Sequence, residues 1–141
     1  MSDTNKFAIV IQNEDIRLET VTQQSFRPWD LAKRILGDSI LQVVPIDMME
    51  GRFAGLIDED GKAKGLPKNK LATALCSPYL FYNDYIAGPM VICCNTEDLD
   101  GLNKTDVGHY DFITLLASVY CVEDQQYKRE AERVFNYERS R

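Results

Sequence analysis

The chain has 141 residues, of which 45% are hydrophobic and 27% charged, and its net charge is −6. This length fits a single domain that needs neither a disulfide nor a metal to bury its core. The acidity makes nucleic acid an unlikely partner, because a phosphate backbone needs a basic face; it indicates either simple solubility or imitation of DNA toward a basic protein.

The cysteines and the N-terminal residues predict an intracellular protein. Cys76, Cys93, Cys94 and Cys121 form no C-x-x-C pair, and the single histidine, His109, does not complete a usual zinc set with them. We therefore expect reduced, mostly buried thiols, with no metal site and no cofactor. The first residues lack the apolar core of a signal peptide, and no run reaches the roughly 20 apolar residues of a membrane span. A soluble, cytoplasmic protein without a membrane partner is expected.

The first third of the chain predicts a hairpin, a helix and a strand. Residues 7–11 (FAIVI) form an apolar run and residues 16–20 alternate apolar with polar, so the two should pair as strands. Pro28 suits a first helical position and Gly37 a helix end, which predicts a helix over 28–36. Residues 40–46 predict a strand with Pro45 at its end or on a sheet edge, because proline has no N–H.

The middle of the chain predicts two further strands. Residues 53–57 form the first, and Asp60-Gly61 predicts a two-residue hairpin turn after it. Residues 69–75 suit either a short helix or an irregular crossover. Residues 86–94 form the second strand, with Gly88-Pro89 as a bulge or kink at its start.

The C-terminal part changes to helical periodicity. Apolar residues from Phe112 onward predict a helix or helix pair within 106–141. Val134, Phe135 and Tyr137 form a stripe that the small core cannot cover, so we expect this region to make a homo-oligomer.

Together the pieces predict an α+β fold. Residues 1–105 should form the core, with a mostly antiparallel sheet of five or six strands. The 28–36 helix and the C-terminal helix should cover one face, and residues 106–141 should pack on the same domain as a helical extension.

The order of these pieces resembles the domain of unknown function numbered 3846, a family found in bacteriophages, plasmids and conjugative elements. Two short signatures carry the resemblance: GK-x-x-GLP-x-N, here residues 61–69, and D-x-I-x-G, here residues 84–88. The similarity covers about residues 7–105. The family has no established activity, so the resemblance implies the fold and a mobile-element setting.

No catalytic motif is present, so we expect no catalytic residues and no enzymatic activity. A group of cations, an amide and aromatic rings remains as a candidate ligand-binding segment. Its members are Arg52, Lys62, Lys64, Asn69, Lys70, Tyr79, Tyr82 and Tyr85. Such groups hold phosphates and stack on bases. The alternative is that the lysines solvate a hairpin, the tyrosines pack on the sheet and Asn69 serves the backbone conformation.

Three functional classes fit these features. The first is a small non-enzymatic counter-defence protein of a phage or mobile element, which sequesters a nucleotide-derived signalling molecule between residues 62–70 and 79–85. The second is an acidic inhibitor that binds a host defence protein, for example as a DNA mimic. The third is a small hydrolase with a carboxylate-bound metal. The first class is the working hypothesis.

Overall fold

The computed structural model describes residues 6–12, 15–22, 25–37, 40–46, 51–76, 80, 84–103 and 106. These residues form five strands and two helices, which confirms the predicted α+β fold. In chain order they are β1 (Lys6–Gln12), β2 (Asp15–Val21), α1 (Pro28–Leu36), β3 (Leu41–Pro45), β4 (Phe53–Asp58), α2 (Lys70–Cys76) and β5 (Met90–Cys94). The predicted helical extension lies outside the described residues, apart from Asp106.

The five strands form one antiparallel sheet in the order β2-β1-β5-β4-β3. β1 and β2 make the predicted hairpin, with Ile9 opposite Leu18. β5 comes last in the chain but lies in the centre, where Val91 is opposite Val10 on one side and Leu56 on the other. Its apolar sequence, MVICC, suits a strand with neighbours on both sides and a core on both faces.

Each face of the sheet carries its own apolar core. Because side chains alternate along a strand, Val10 packs toward Leu31 of α1, whereas Ile9 packs in the cluster that contains Leu71 of α2. The sequence predicted cover on one face alone, by α1 and the C-terminal helix. The structure differs because residues 70–76, which the sequence left open between helix and crossover, form a helix on the opposite face.

Helix α1 begins and ends where the sequence predicted. Pro28 occupies the first turn, where its missing N–H costs nothing, and the Asp30 carboxylate accepts the backbone N–H of Arg27 (3.0 Å). Gly37 follows the last turn with a φ of 72° and donates its N–H to the carbonyl of Lys33 (2.9 Å). That positive φ favours glycine at this position.

Strand β3 is an edge strand, and Pro45 is its last residue, as predicted. Just before the strand, Glu59 donates its backbone N–H to the carbonyl of Ile40 (2.9 Å). Hydrogen-bonded pairs alternate along an antiparallel ladder, so from this bond the odd-numbered residues of β3 turn their backbone groups away from β4. Pro45 occupies one of these outward positions, where its missing N–H breaks no bond of the sheet.

The predicted hairpin at Asp60-Gly61 is wrong. β4 ends at Asp58 and pairs with β3, which precedes it, and with the distant β5, not with a strand that begins directly after the turn. Residues 59–65 instead form consecutive turns, in which Lys64 donates its N–H to the carbonyl of Asp60 (3.0 Å). The cause is Asp58, whose side chain accepts the N–H of Asp60 (2.8 Å) and redirects the chain at the end of β4.

The described cysteines are free thiols, as the sequence predicted. Cys76 and Cys93 are buried and Cys94 is half-buried. Burial raises the pKa of Cys76 and of Cys93 to about 12, and the pKa of Cys94 to about 11. Such thiols are poor nucleophiles at neutral pH. Cys121 lies outside the described residues.

Within the described part of the chain, no helix has the length and apolar character needed to cross a membrane.

Candidate functional site

The two signatures, residues 61–69 and 84–88, lie side by side. Lys68 and Ala87 form an antiparallel bridge, and Asn69 donates its backbone N–H to the carbonyl of Ile86 (2.8 Å). The residues of these two segments are therefore largely partners of one another. Their first role is to join the start of β5 to the segment that leads into α2.

Glycines allow the two segments to approach this closely. A Cβ placed on Gly61 would lie 2.4 Å from the backbone oxygen of Ala87, a distance that neither atom tolerates. Gly88 has a φ of 91°, and a Cβ there would lie 2.7 Å from Cδ1 of Leu66. Gly61 and Gly88 thus each have a steric reason to be glycine.

Gly61→Ala is expected to destabilise the fold by about 1–3 kcal/mol, because a backbone carbonyl must move to admit the methyl group. Urea unfolding would measure the loss. Gly65→Asn is the matched control: this glycine lies in the same turn, has a φ of 73° that asparagine tolerates, and faces open space. Equal stability of Gly61→Ala and the parent protein would contradict the close approach.

Asn69 is 1% exposed, and both polar atoms of its side-chain amide are hydrogen-bonded to backbone groups. Nδ2 donates to the carbonyls of Ile11 (3.1 Å) and Gly88 (2.9 Å), and Oδ1 accepts the N–H of Ala72 (3.1 Å) at the start of α2. Of the two roles that the sequence allowed for Asn69, these contacts fit the conformational one. We therefore leave Asn69 out of the proposed binding surface.

Lys62, Lys68, Asp84 and Tyr85 form a surface group that we call the Tyr85 cluster. The ammonium groups of Lys62 and Lys68 lie over the Tyr85 ring, 4.9 and 5.8 Å from its centroid. Lys62 also pairs with the Asp84 carboxylate. This ammonium, and then the backbone N–H of Tyr85 (2.8 Å), hold the pKa of Asp84 below its ordinary value.

A cleft of about 140 Å³ opens beside the Tyr85 cluster, lined by Lys62, Asp84 and Tyr85 together with Gln42 and Glu59. Ordinary ligand pockets measure roughly 300–1,000 Å³. The cleft admits one group of the size of a phosphate or a sugar ring, and a larger ligand would have to lie across the surface.

The remaining predicted cations lie apart from this cluster. Lys64 pairs with the buried Asp58 (2.8 Å) and lines a different cleft, near the end of α1. Lys70 is exposed in the first turn of α2. Tyr79 and Tyr82 lie outside the described residues, so their ligand role stays a prediction.

Arg52 precedes β4 and lies at the opposite end of that strand from the Tyr85 cluster. It pairs with Asp106, which is 1% exposed and also accepts the backbone N–H of Asn103 (3.0 Å). Burial raises the pKa of Asp106, but the bonds from Arg52 and Asn103 outweigh this, so the net pKa lies below its ordinary value. Arg52 therefore anchors residue 106 to the sheet.

The structure thus brings together Lys62 and Tyr85 from the predicted set, and adds Lys68 and Asp84. Lys68 lies within the predicted ligand-binding segment 62–70, and Asp84 opens the D-x-I-x-G signature, so both were visible in the sequence. What the sequence did not show is which lysines reach the ring, since that depends on how residues 59–65 coil.

Among the described residues, no group of three or more His, Cys, Asp or Glu side chains is arranged to hold a metal ion. Comparisons with protein-family models, curated proteins and solved structures found no match to this chain.

Proposed function

We propose that this chain is a small non-enzymatic binding protein that holds a nucleotide-like anion at the Tyr85 cluster. The observation that carries the proposal is the pair of ammonium groups, from Lys62 and Lys68, over a single tyrosine ring. Cations beside an aromatic ring supply both the charge that holds a phosphate and a surface for a base or sugar.

The charges of the cluster suit an exchangeable anion. The Lys62–Asp84 pair is exposed, with 49% of the lysine and 28% of the aspartate side chain accessible, and pairs of this kind are weak. Among the described residues, Lys68 has no carboxylate partner. A phosphate can therefore contact Lys68 directly and compete with Asp84 for Lys62.

The proposed biological role is counter-defence in the host cytoplasm, by sequestering a nucleotide-derived signal without turning it over. Its support is the resemblance to a family of phage and other mobile-element proteins, together with the small size of the chain. The proposal assigns no catalytic residue and no cofactor.

A second candidate is an acidic inhibitor that binds a host protein. The observation that favours it is the exposed apolar side chain of Ile40, at 60%, next to the exposed acid Glu59. The backbone N–H of Glu59 donates to the backbone carbonyl of Ile40 (2.9 Å). Val43, on the same edge strand, is 45% exposed. Because the whole chain has a net charge of −6, a partner that docks on this edge would be expected to be basic.

Incubation with a mixture of nucleotide signals, followed by gel filtration and heating, separates the candidates. Intact nucleotide released from the protein fraction supports sequestration. Altered nucleotide indicates an enzyme and contradicts the proposal. A protein fraction without nucleotide also contradicts it and leaves the protein-inhibitor candidate in first place.

Lys68→Ala is expected to weaken nucleotide binding by about 1–3 kcal/mol, as loss of a hydrogen bond to a charged group does, with little change in thermal stability. Isothermal titration calorimetry measures the affinity. Lys6→Ala, which removes a lysine at the far end of β1, is the matched control and should bind as the parent does. If Lys62→Ala and Lys68→Ala both retain parental affinity, the site lies elsewhere.

A further inference from the structure

A second cleft, of about 370 Å³, lies where the end of α1 meets the ends of β1 and β4. We call it the α1 cleft. Its walls are mostly apolar and come from α1, the turn after β4 and the start of β5; Leu36, Leu66 and Pro89 represent the three segments. Its volume and its apolar walls fall within the ordinary range for small-molecule sites.

Hydrogen bonds and a packing contact around Gly88 hold the walls of the α1 cleft in place. Gly88 donates its N–H to the carbonyl of Pro67 (2.8 Å), and its own carbonyl accepts Nδ2 of the buried Asn69 (2.9 Å). Leu66 packs against Gly88, where a Cβ would meet its Cδ1 at 2.7 Å. A cleft built on two prolines and these contacts needs little ordering when a ligand enters, which favours binding.

Among the described residues that line the α1 cleft, the charged side chains carry no net charge. Asp58, which is 4% exposed, and Lys64 pair at 2.8 Å, so the carboxylate and the ammonium neutralise each other. A charged ligand would bring a charge without a partner into mostly apolar surroundings, which costs free energy. The lining therefore selects against ions of either sign.

Gln12 supplies the third polar group. Its side-chain oxygen accepts Nη1 of Arg17 (3.1 Å), which leaves the NH₂, a hydrogen-bond donor, as the group that we assign to the ligand. A matching ligand needs an acceptor at one end.

We propose that the α1 cleft binds a compact, uncharged, mostly apolar molecule with one hydrogen-bond-accepting end, of which an aromatic carboxamide is the simplest example. This site is separate from the Tyr85 cluster, and its ligand has the opposite charge requirement. The inference therefore stands whether or not the proposed nucleotide binding is found.

Three probes of similar shape and different charge test the proposal: benzamide, benzoate and benzylammonium. Titration into ¹⁵N-labelled protein should give saturable shifts of the Leu36, Leu66 and Gly88 amide signals with benzamide. Benzoate and benzylammonium should bind at least about ten-fold more weakly, because each leaves a charge unpaired.

Two variants complete the test. Gln12→Ala should weaken benzamide binding about five-fold or more through loss of the donor, while Lys6→Ala at the other end of β1 should not change it. Ile35→Trp should block the cleft, with its melting temperature as the check on folding. Absence of saturable shifts at these amides, benzoate affinity equal to that of benzamide, or an unaffected Gln12→Ala would each overturn the proposal.

Discussion

Asn69→Ala is expected to destabilise the protein by about 3–5 kcal/mol, the largest loss we expect from a single side chain. Truncation leaves the buried carbonyls of Ile11 and Gly88 without their donor and removes the cap of α2 at Ala72. Each of these groups then loses a hydrogen bond away from water, and the losses fall on β1, on the segment just before β5 and on α2. Urea unfolding followed by circular dichroism measures the change.

The neighbouring residue supplies the control. Lys70→Ala changes an exposed side chain of the same helix and should stay within about 0.5 kcal/mol of the parent. Asn69→Asp should be at least as harmful as the alanine variant, because it aims a carboxylate at two carbonyl oxygens. A stable Asn69→Ala variant that had lost only ligand binding would instead restore Asn69 to the binding surface.

Arg52→Ala is expected to cost about 2–3 kcal/mol at pH 7, less than a fully buried pair costs because half of the arginine side chain is exposed. The variant leaves the buried Asp106 carboxylate without its cation. Because Arg52 lies away from the Tyr85 cluster, nucleotide affinity should not change. Loss of affinity at unchanged stability would contradict this assignment and return Arg52 to the ligand site.

The same pair sets an acid limit on stability. The folded-state pKa of Asp106 is lowered, so its contribution is present above the ordinary carboxylate pKa of about 3.9 and is lost as the pH falls through the folded value. Stability measured against pH should therefore fall less steeply on the acid side in Asp106→Asn than in the parent. If the stability of the parent and of Asp106→Asn falls equally steeply at acid pH, Asp106 does not contribute in this way.

The elements that the sequence predicted correctly depend on local signals. Pro28 and Gly37 bound α1 through their own backbone preferences, and Pro45 marks an edge because it lacks an N–H. The hairpin at Asp60-Gly61 failed although its local signal is good. The competing bond, from the Asp60 N–H to the Asp58 side chain, is also local, so two local signals conflict at this turn and the sequence alone does not rank them.

The candidate site also combines features that the local sequence predicted with features that it did not. The sequence placed Lys62 and Tyr85 in the two segments predicted to hold a ligand, 62–70 and 79–85, and the structure puts the Lys62 ammonium over the Tyr85 ring. Arg52 was grouped with the lysines because it is near them in sequence, yet the six residues of β4 separate it from them by about 20 Å. The role of Asn69 depends on the carbonyls of Ile11 and Gly88, which lie 58 and 19 residues away in the sequence. No local sequence pattern predicts these contacts.

The central position of β5 has a consequence for the newly made chain. Two hairpin-like strand pairs, β1 with β2 and β3 with β4, can form early, but each keeps an apolar strand with one unpaired edge until β5 arrives between them. Such edges pair readily with other chains. The sheet is therefore complete only after contacts form between distant parts of the sequence, and a chain whose synthesis stalls before Met90 keeps the unpaired edges of β1 and β4 open to aggregation.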